Sequence, residues 1–510
     1  MTESSHTTAL PENAASASAA LRSGRPALVW RKTIADSETP VGAARRLIKS
    51  GRGDFLLESV EGGEVRARYS MLGLDPDLVF RASETSAEIN PAWRDDRAAF
   101  RACAGDAMAE LRALASSCLI DLPEGLPTPA LPCLVGYFGY ETIGLVETLP
   151  RAEGSDLQLP DMLFVRPTII LVFDELTDDL FCITPIWEAD DPDAAIEMAA
   201  ERIDETLRAL SGQLPPEPRL AGFDAEPELA PVMPGEEYRA MVAKAKDYIL
   251  AGDIFQVVLA QRFACPFELP PLALYRALRR INPSPFLYFL DLPGFAIVGS
   301  SPEILVRVRD GEVTIRPIAG TRPRGAGPVE DRANEASLLA DPKERAEHLM
   351  LLDLGRNDVG RVAARGSVEV TDSFTVERYS HVMHIVSNVV GHLADNRDAI
   401  DALFAGFPAG TVSGAPKVRA CEIIAELEPE TRGAYAGGVG YFAPDGSVDS
   451  CIVLRTAVVK DGTMHVQAGA GIVADSDPEY ELAECKAKAG ALIAAAKEAV
   501  RVASEPGFGQ

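Results

Sequence analysis

Between Glu303 and Gly325 the chain reads EILVRVRDGEVTIRPIAGTRPRG, two runs of alternating apolar and polar residues joined at Asp310-Gly311. A period of two is the signature of a strand with one face turned to a core. Asp-Gly between two such runs favours the tight turn of an antiparallel hairpin. The same punctuation recurs. Gly62-Gly63 separates FLLESV from EVRARYSMLGL, and Asp-Gly pairs at 445–446 and 461–462 divide residues 437–474 into three expected strands. Hairpins in groups, with helices between the groups, predict an α+β fold with a large antiparallel sheet and no regular βαβ repeat.

The helices announce themselves by their ends. Asp341 is a natural N-cap with Pro342 and Glu344 in the first turn, so a helix is expected from there to Gly355. Another ends at Gly252 and leads into the strand IFQVVLAQRF. Helical patterns lie near 95–115 and 192–210, and an Ala-rich helix runs from Asp477-Pro478 to about residue 502. Residues 1–25 are rich in Ser, Ala and Thr and read as a disordered tail, lacking the basic and apolar regions of a signal peptide. Residues 211–234 are rich in Pro and Glu and read as a linker between an N-terminal domain, 26–210, and a C-terminal domain, 235–503.

Charge narrows the function. With a net charge of −27 the chain does not suit nucleic acid or an anionic membrane surface. Any anionic substrate must then be met by local Arg, Lys, backbone N–H groups or a bound cation. No apolar run is long enough to span a membrane. The eight cysteines are scattered without a Cys-x-x-Cys pair, which reads as a reduced, cytoplasmic protein without structural zinc. No GxGxxG follows a strand and no GxxxxGK[ST] occurs, so dinucleotide and P-loop chemistry have no support.

Several groups could do chemistry. Glu481, Glu484 and Lys488 share one face of the last helix, and Glu347 lies on the helix after Asp341. Each is also what a solvated ion-paired face looks like. The run QAGAGIV (467–473) just before the last helix has room for a ligand against its backbone, and two carboxylates with water and a substrate carboxylate would make an oxygen site suited to Mg2+. His384, three residues after His381 in an apolar stretch, is open to a core reading as well as a catalytic one. GTVSGAPKVRA (410–420) sets Thr411 at a loop-to-helix junction, and Gly320, Thr321, Arg322 and Arg324 end the opening hairpin in groups that suit an anion.

PIAGTRPRG, AEHLMLLDLGRND, ERYSHVMH, GTVSGAPKVRA, CIVLRTA and QAGAGIVADS occur in this order over roughly 235–500, with LLES and GYFGYE before them. Together they resemble the chorismate-utilising enzymes, the family of the anthranilate, aminodeoxychorismate, isochorismate and salicylate synthases. The resemblance implies that Glu347 and Glu484 hold Mg2+ against the ring carboxylate of chorismate, supported by Gly469, Ala470, Gly471 and Lys488. Tyr435 and Arg455 would bind the enolpyruvyl carboxylate, and Gly320 and Thr321 would touch the substrate. Glu303 would protonate the departing C4 hydroxyl, His384 would assist elimination of pyruvate, and Thr411 is a further catalytic candidate. Ser59 on one side and Pro285, Phe286 and Leu287 on the other match the segments that form a tryptophan feedback pocket.

Two departures select within the family. Aminodeoxychorismate synthases usually carry a nucleophilic Lys where this chain has Ala319, and isochorismate and salicylate synthases carry a Lys base where it has Gln256. With both lysines missing, ammonia is the expected nucleophile and anthranilate, with pyruvate, the expected product, as the first step of tryptophan synthesis. The chain shows no fused amidotransferase or its Cys motif, so ammonia is expected from a separate glutamine amidotransferase subunit in a heterotetramer. The alternatives are an aminodeoxychorismate synthase and a non-catalytic homologue that binds chorismate or an amino acid.

Overall fold

The computed structural model describes residues 10–58, 60–61, 65–66, 68–127, 131–216, 227–379 and 382–505. Two antiparallel sheets of twelve strands each carry the fold, with a two-stranded ribbon beside them. Strands from both halves of the chain share each sheet. In the first, Asp54–Glu58 pairs with Phe286–Leu292, placing Leu287 opposite Glu58. In the second, Leu134–Phe138 pairs with Gly438–Phe442. The sheets face each other across a core built from alternate residues: Phe55, Tyr288, Leu290 and Ile297 from one, Val135, Tyr137, Leu163 and Val439 from the other. Tyr137 meets Phe295 edge-on at 5.8 Å across that core. This is the α+β fold read from the hairpin pattern, with the large, sandwich-like antiparallel β-sheets flanked by helices that the family resemblance implies.

The opening hairpin forms as read: Ile304–Arg309 pairs with Glu312–Ile315, and Asp310 and Gly311 both take positive φ at the turn. Asp341 caps its helix, accepting from the N–H groups of Lys343 and Glu344, and Asp477 caps the last helix in the same way. No helix among the described residues is long and apolar enough to cross a membrane.

Four local expectations need correction. Residues 1–25 are not wholly a disordered tail, because Ala14–Arg22 is a helix. Its Ala-rich sequence favours helix, Ala17 and Leu21 are buried, and Arg22 pairs with Asp193 at 2.6 Å. The helix after Asp341 continues through Gly355 to Gly360, since Val359 and the Asp358–Lys417 pair anchor its last turn in the interior. Residues 437–474 hold four strands, because the irregular Val453–Arg455 segment breaks one expected strand in two. The helical pattern near 95–115 becomes the helix Ala107–Ser117, preceded by the short strand Arg101–Ala102.

One buried ion pair joins these layers. Arg432 and Glu428 meet at 2.6 Å with side chains 1% and 3% exposed. Arg432 also donates to the carbonyls of Val258 and Val412 at 2.7 Å each, and Glu428 accepts from the N–H of Ala260. From the N-terminal half, Glu141 accepts from the N–H groups of Arg432 and Gly433, and the Tyr140 ring lies 4.6 Å from the guanidinium. Removing one partner of a buried pair leaves an uncompensated charge and costs about 3–5 kcal/mol. Arg432→Met should therefore lose on the order of that stability in urea denaturation. Adding Glu428→Gln should recover part of the loss, whereas a change below ~1 kcal/mol in the single variant would show that the pair is not structural.

Candidate active site

A cavity of about 1110 Å3 is lined by strands of both sheets. Its floor is the strand Gln256–Pro266 paired with Thr463–Ile472, with Val258 opposite Gly471 and Ala260 opposite Gly469. The edge strand Ile318–Pro323, the helices Pro342–Gly360 and Pro478–Ser504, and the short turn Gly410–Val412 make the walls. Two glycines keep the floor open. A Cβ on Gly469 would stand 2.8 Å from the Tyr435 hydroxyl, and one on Gly471 would stand 2.6 Å from Nε2 of Gln256.

The cavity collects Glu303, Ala319, Gly320, Thr321, Glu347, His384, Thr411, Tyr435, Arg455, Gly469, Gly471, Glu484 and Lys488, from well-separated segments of the chain. Ala470 is fully buried and does not line it, because alternation along the strand turns its methyl away from Gly469 and Gly471. Ser59 lies outside the described residues. Leu287 is buried in its strand opposite Glu58, and Pro285 and Phe286, both half-buried, precede it outside the cavity.

Glu303 is buried, and the Thr411 hydroxyl donates to its carboxyl group, 3.1 Å from each oxygen. Burial pushes its pKa up to about 8, against the smaller opposing pull of the Thr411 hydrogen bond. At neutral pH it is a protonated carboxylic acid facing the cavity. His384 Nδ1 lies 2.8 Å from the Gly320 carbonyl and 3.2 Å from Oγ1 of Thr321. A carbonyl can only accept, so Nδ1 carries the proton and Nε2 keeps its lone pair. Burial, with the nearby Arg455 charge adding to it, holds the imidazole down to about 4, so it is neutral at physiological pH. The core alternative for His384 is thus half right: the ring is packed against Tyr379 at 5.3 Å, yet it lines the cavity.

Arg455 has no carboxylate partner among the described residues, and burial lowers its pKa. A cavity guanidinium without a counter-charge suits an anion. The two arginines of TRPRG are different. Arg322 is paired with Glu344 and Asp341, and Arg324 with Asp331, so they brace the strand end instead of meeting an anion. Lys488 bridges Glu484 at 2.7 Å and the Gly469 carbonyl at 3.0 Å. Burial and then the charge of Glu344 raise Glu347, with Lys343 and Lys488 opposing and Glu484 adding a little.

Among the described residues no group of three His, Cys, Asp or Glu is arranged to hold a metal ion by itself. Glu347 and Glu484, which both line the cavity, suit Mg2+ nonetheless, because that ion commonly takes one or two protein carboxylates and fills its remaining positions with substrate and water. The pattern reading missed Tyr379 against His384, and it missed the Glu428–Arg432 pair that fixes Val412 next to Thr411. The i,i+4 spacing of the pair was visible, but its burial was not.

Glu303 sets a stability prediction. A carboxyl whose folded pKa lies above its unfolded value costs the fold stability as pH rises between the two. Glu303→Gln removes that charge, so wild type and variant should melt alike below about pH 4, under the unfolded pKa of a glutamate. The variant should become more stable by on the order of a few kcal/mol by pH 8, one pKa unit being about 1.4 kcal/mol. Parallel melting curves across that range would show that Glu303 is not held protonated.

The sequence model of the chorismate binding enzyme family matches residues 55–494. The anthranilate synthase component 1 of Cereibacter sphaeroides is 53% identical over 491 residues, covering 96% of this chain and 98% of that protein. The crystal structure of anthranilate synthase component I from Streptococcus pneumoniae superposes with a TM-score of 0.73 at 33% identity, covering 90% of this chain and 99% of that one. The menaquinone-specific isochorismate synthase of Escherichia coli shares the fold, with a TM-score of 0.68 at 18% identity over 95% of this chain and all of its own. The chain belongs to the chorismate binding enzyme family, among the anthranilate synthase component 1 proteins.

Proposed function

We propose that the chain is the synthase subunit that converts chorismate and ammonia to anthranilate, pyruvate and water, the committed step toward tryptophan. One observation carries the choice of nucleophile: Ala319 and Gln256 both line the cavity, so neither position where relatives place a lysine offers an amine to attack the ring or a base to activate water. Ammonia takes the place of both.

The chain's own groups divide the work. Arg455 and Tyr435 hold the enolpyruvyl carboxylate, and Gly320 and Thr321 border the ring. Glu347 and Glu484 hold Mg2+, which supplies charge neutralisation for the ring carboxylate. As ammonia adds at C2 and the ring double bonds shift, the C4–O bond breaks and protonated Glu303 gives its proton to the departing hydroxyl, which leaves as water. Excess protons on the new amine pass to solvent. His384 Nε2 then takes the proton from C2 while the C3–O bond breaks. Enolpyruvate leaves and becomes pyruvate, and the ring becomes aromatic. A neutral imidazole and a neutral carboxylic acid are the protonation states these two roles need.

Ammonia in the cell would come from a separate glutamine amidotransferase, with two copies of each subunit in a heterotetramer. Residues 26–210 would serve regulation and partner binding. Tryptophan would bind where the strand ending at Glu58 adjoins Phe286–Leu292, with Ser59 and Pro285, Phe286 and Leu287 around it. The direct pairing of Leu287 with Glu58 supports that reading by making the two segments neighbours. An aminodeoxychorismate synthase or a silent binding homologue finds less support, given Ala319 and the complete set of acid, imidazole and anion-binding groups.

The purified chain with chorismate, Mg2+ and ammonium at alkaline pH should form fluorescent anthranilate. Glutamine should support the reaction only after the amidotransferase subunit is added, and EDTA should abolish it. Activity retained in EDTA would overturn the metal assignment. Glu347→Gln and Glu484→Gln should each cut turnover at least about a hundredfold with melting temperature little changed. Near-native rates in either variant would remove that residue from the site. Tryptophan should inhibit wild type and spare Ser59→Phe, whose ring fills the pocket; equal sensitivity of the two would place the effector elsewhere.

A further inference from the structure

Glu347 and His384 stand on two elements that are joined behind the cavity. On the helix Pro342–Gly360 the residue after Glu347 is His348, turned about 100° away from it around the helix axis. Glu347 lines the cavity, whereas His348 is fully buried and does not. On the strand Val382–His392 alternation makes the same division: His384 lines the cavity, and Met383, Ile385 and Ser387 face the other way. There the two elements meet. His348 Nε2 lies 2.6 Å from Ser387 Oγ, and the backbone N–H of Phe374 donates to the same oxygen at 3.1 Å. Phe374 takes a φ of 53° where the pairing of Glu369–Arg378 with Val382–His392 is irregular. A bulky residue at positive φ is held there by its surroundings and not by its own preference. Its ring meets that of His348 at 4.7 Å, edge to face, and the Arg345 guanidinium, one turn earlier on the same helix, lies 4.9 Å from it.

We propose that His348, Ser387 and Phe374 form a positioning clamp that fixes the helix of Glu347 against the strand of His384, and so holds the cation-binding carboxylate in register with the imidazole. The inference rests on the reading above that Glu347 holds the cation and His384 acts at the ring. Burial of Leu351 and Leu352 already glues the helix to the sheets, but apolar contact has no direction and tolerates a small turn of the helix. A hydrogen bond in a site without water does not, because turning would strand two buried polar groups. Nδ1 of His348 has no partner among the described residues, so the Ser387 bond alone keeps this imidazole from being wholly unsatisfied. Ser387 is itself fully buried, and its oxygen ties the helix and the distorted backbone at Phe374 to one point. Since Glu347 is the neighbour of His348, any turn that breaks the bond swings the Glu347 carboxylate across the cavity.

The test uses the full chain with Mn2+ as probe, its dissociation constant read from the EPR signal of the free ion, with chorismate present and ammonium absent so that nothing turns over. Ser387→Ala removes both hydrogen bonds, and His348→Phe keeps a ring against Phe374 without one. Each should weaken Mn2+ binding about tenfold and raise the Mg2+ concentration for half-maximal anthranilate formation in step. Leu338→Val thins the small core of Leu338, Met383 and Ile385 behind the same strand, and should lower the melting temperature while leaving Mn2+ affinity unchanged. Wild-type affinity in either clamp variant would overturn the clamp. Equal weakening in Leu338→Val would overturn it as well, since loosening of any kind would then suffice. A wild-type chain that does not bind Mn2+ would remove the metal assignment and the clamp together. One that binds Mn2+ but makes no anthranilate from ammonium would sink the enzymatic reading and leave the clamp to be decided by the affinities.

Discussion

The Glu428–Arg432 pair is the constraint on which the site depends. Its two side chains are almost wholly removed from water, so each charge is tolerable only because the other is beside it and the remaining hydrogen-bond positions are filled. Those positions are filled by backbone groups, the Val258 carbonyl and the Ala260 N–H on the floor strand and the Val412 carbonyl on the turn that carries Thr411, while the Glu141 carboxylate of the N-terminal half accepts from the backbone N–H of Arg432. The floor strand, the hydroxyl that addresses Glu303, and the two halves of the chain are thereby held in one frame. Positioning of this kind is what a reaction needs when an acid and a base must act at different atoms of one small ring.

Within that frame the protein uses burial to set protonation. Glu303 and His384 line the same cavity, and desolvation moves them in opposite directions because it disfavours whichever form is charged. The carboxyl stays protonated and the imidazole stays neutral, so one environment yields an acid and a base that coexist at neutral pH. Among the described residues no carboxylate pairs with Arg455, which lines the same cavity. The glutamates at the other end have the opposite problem, several like charges with only lysines to offset them. In the function proposed above, a divalent cation and a dianionic substrate would balance these charges.

Most of the elements are legible in short windows of the chain. Alternation and Asp-Gly turns locate the strands around 303–317, because period and turn chemistry are local properties. Asp341 and Asp477 locate their helices for the same reason. Where local rules fail, distant packing has won: Ala14–Arg22 is held by a neighbouring strand and helix, and Gly355 lies inside a helix whose end is anchored by Lys417. The candidate residues are legible as a set because six motifs in one order carry more information than any single spacing. Arg322 and Arg324 are misread as anion ligands because no sequence window shows that Asp341, Glu344 and Asp331 reach them first.

By itself the sequence determined the antiparallel, hairpin-built character of the fold, the family, and the absence of a lysine at positions 319 and 256, since composition, period and residue identity are carried by the chain alone. Only the tertiary structure decided that both halves share both sheets and that Ala470 turns away from the cavity its neighbours line. It also decided which charges are buried against which partners. These depend on contacts between segments hundreds of residues apart, whose energies come from burial and geometry, and neither exists until the sheets close on one another.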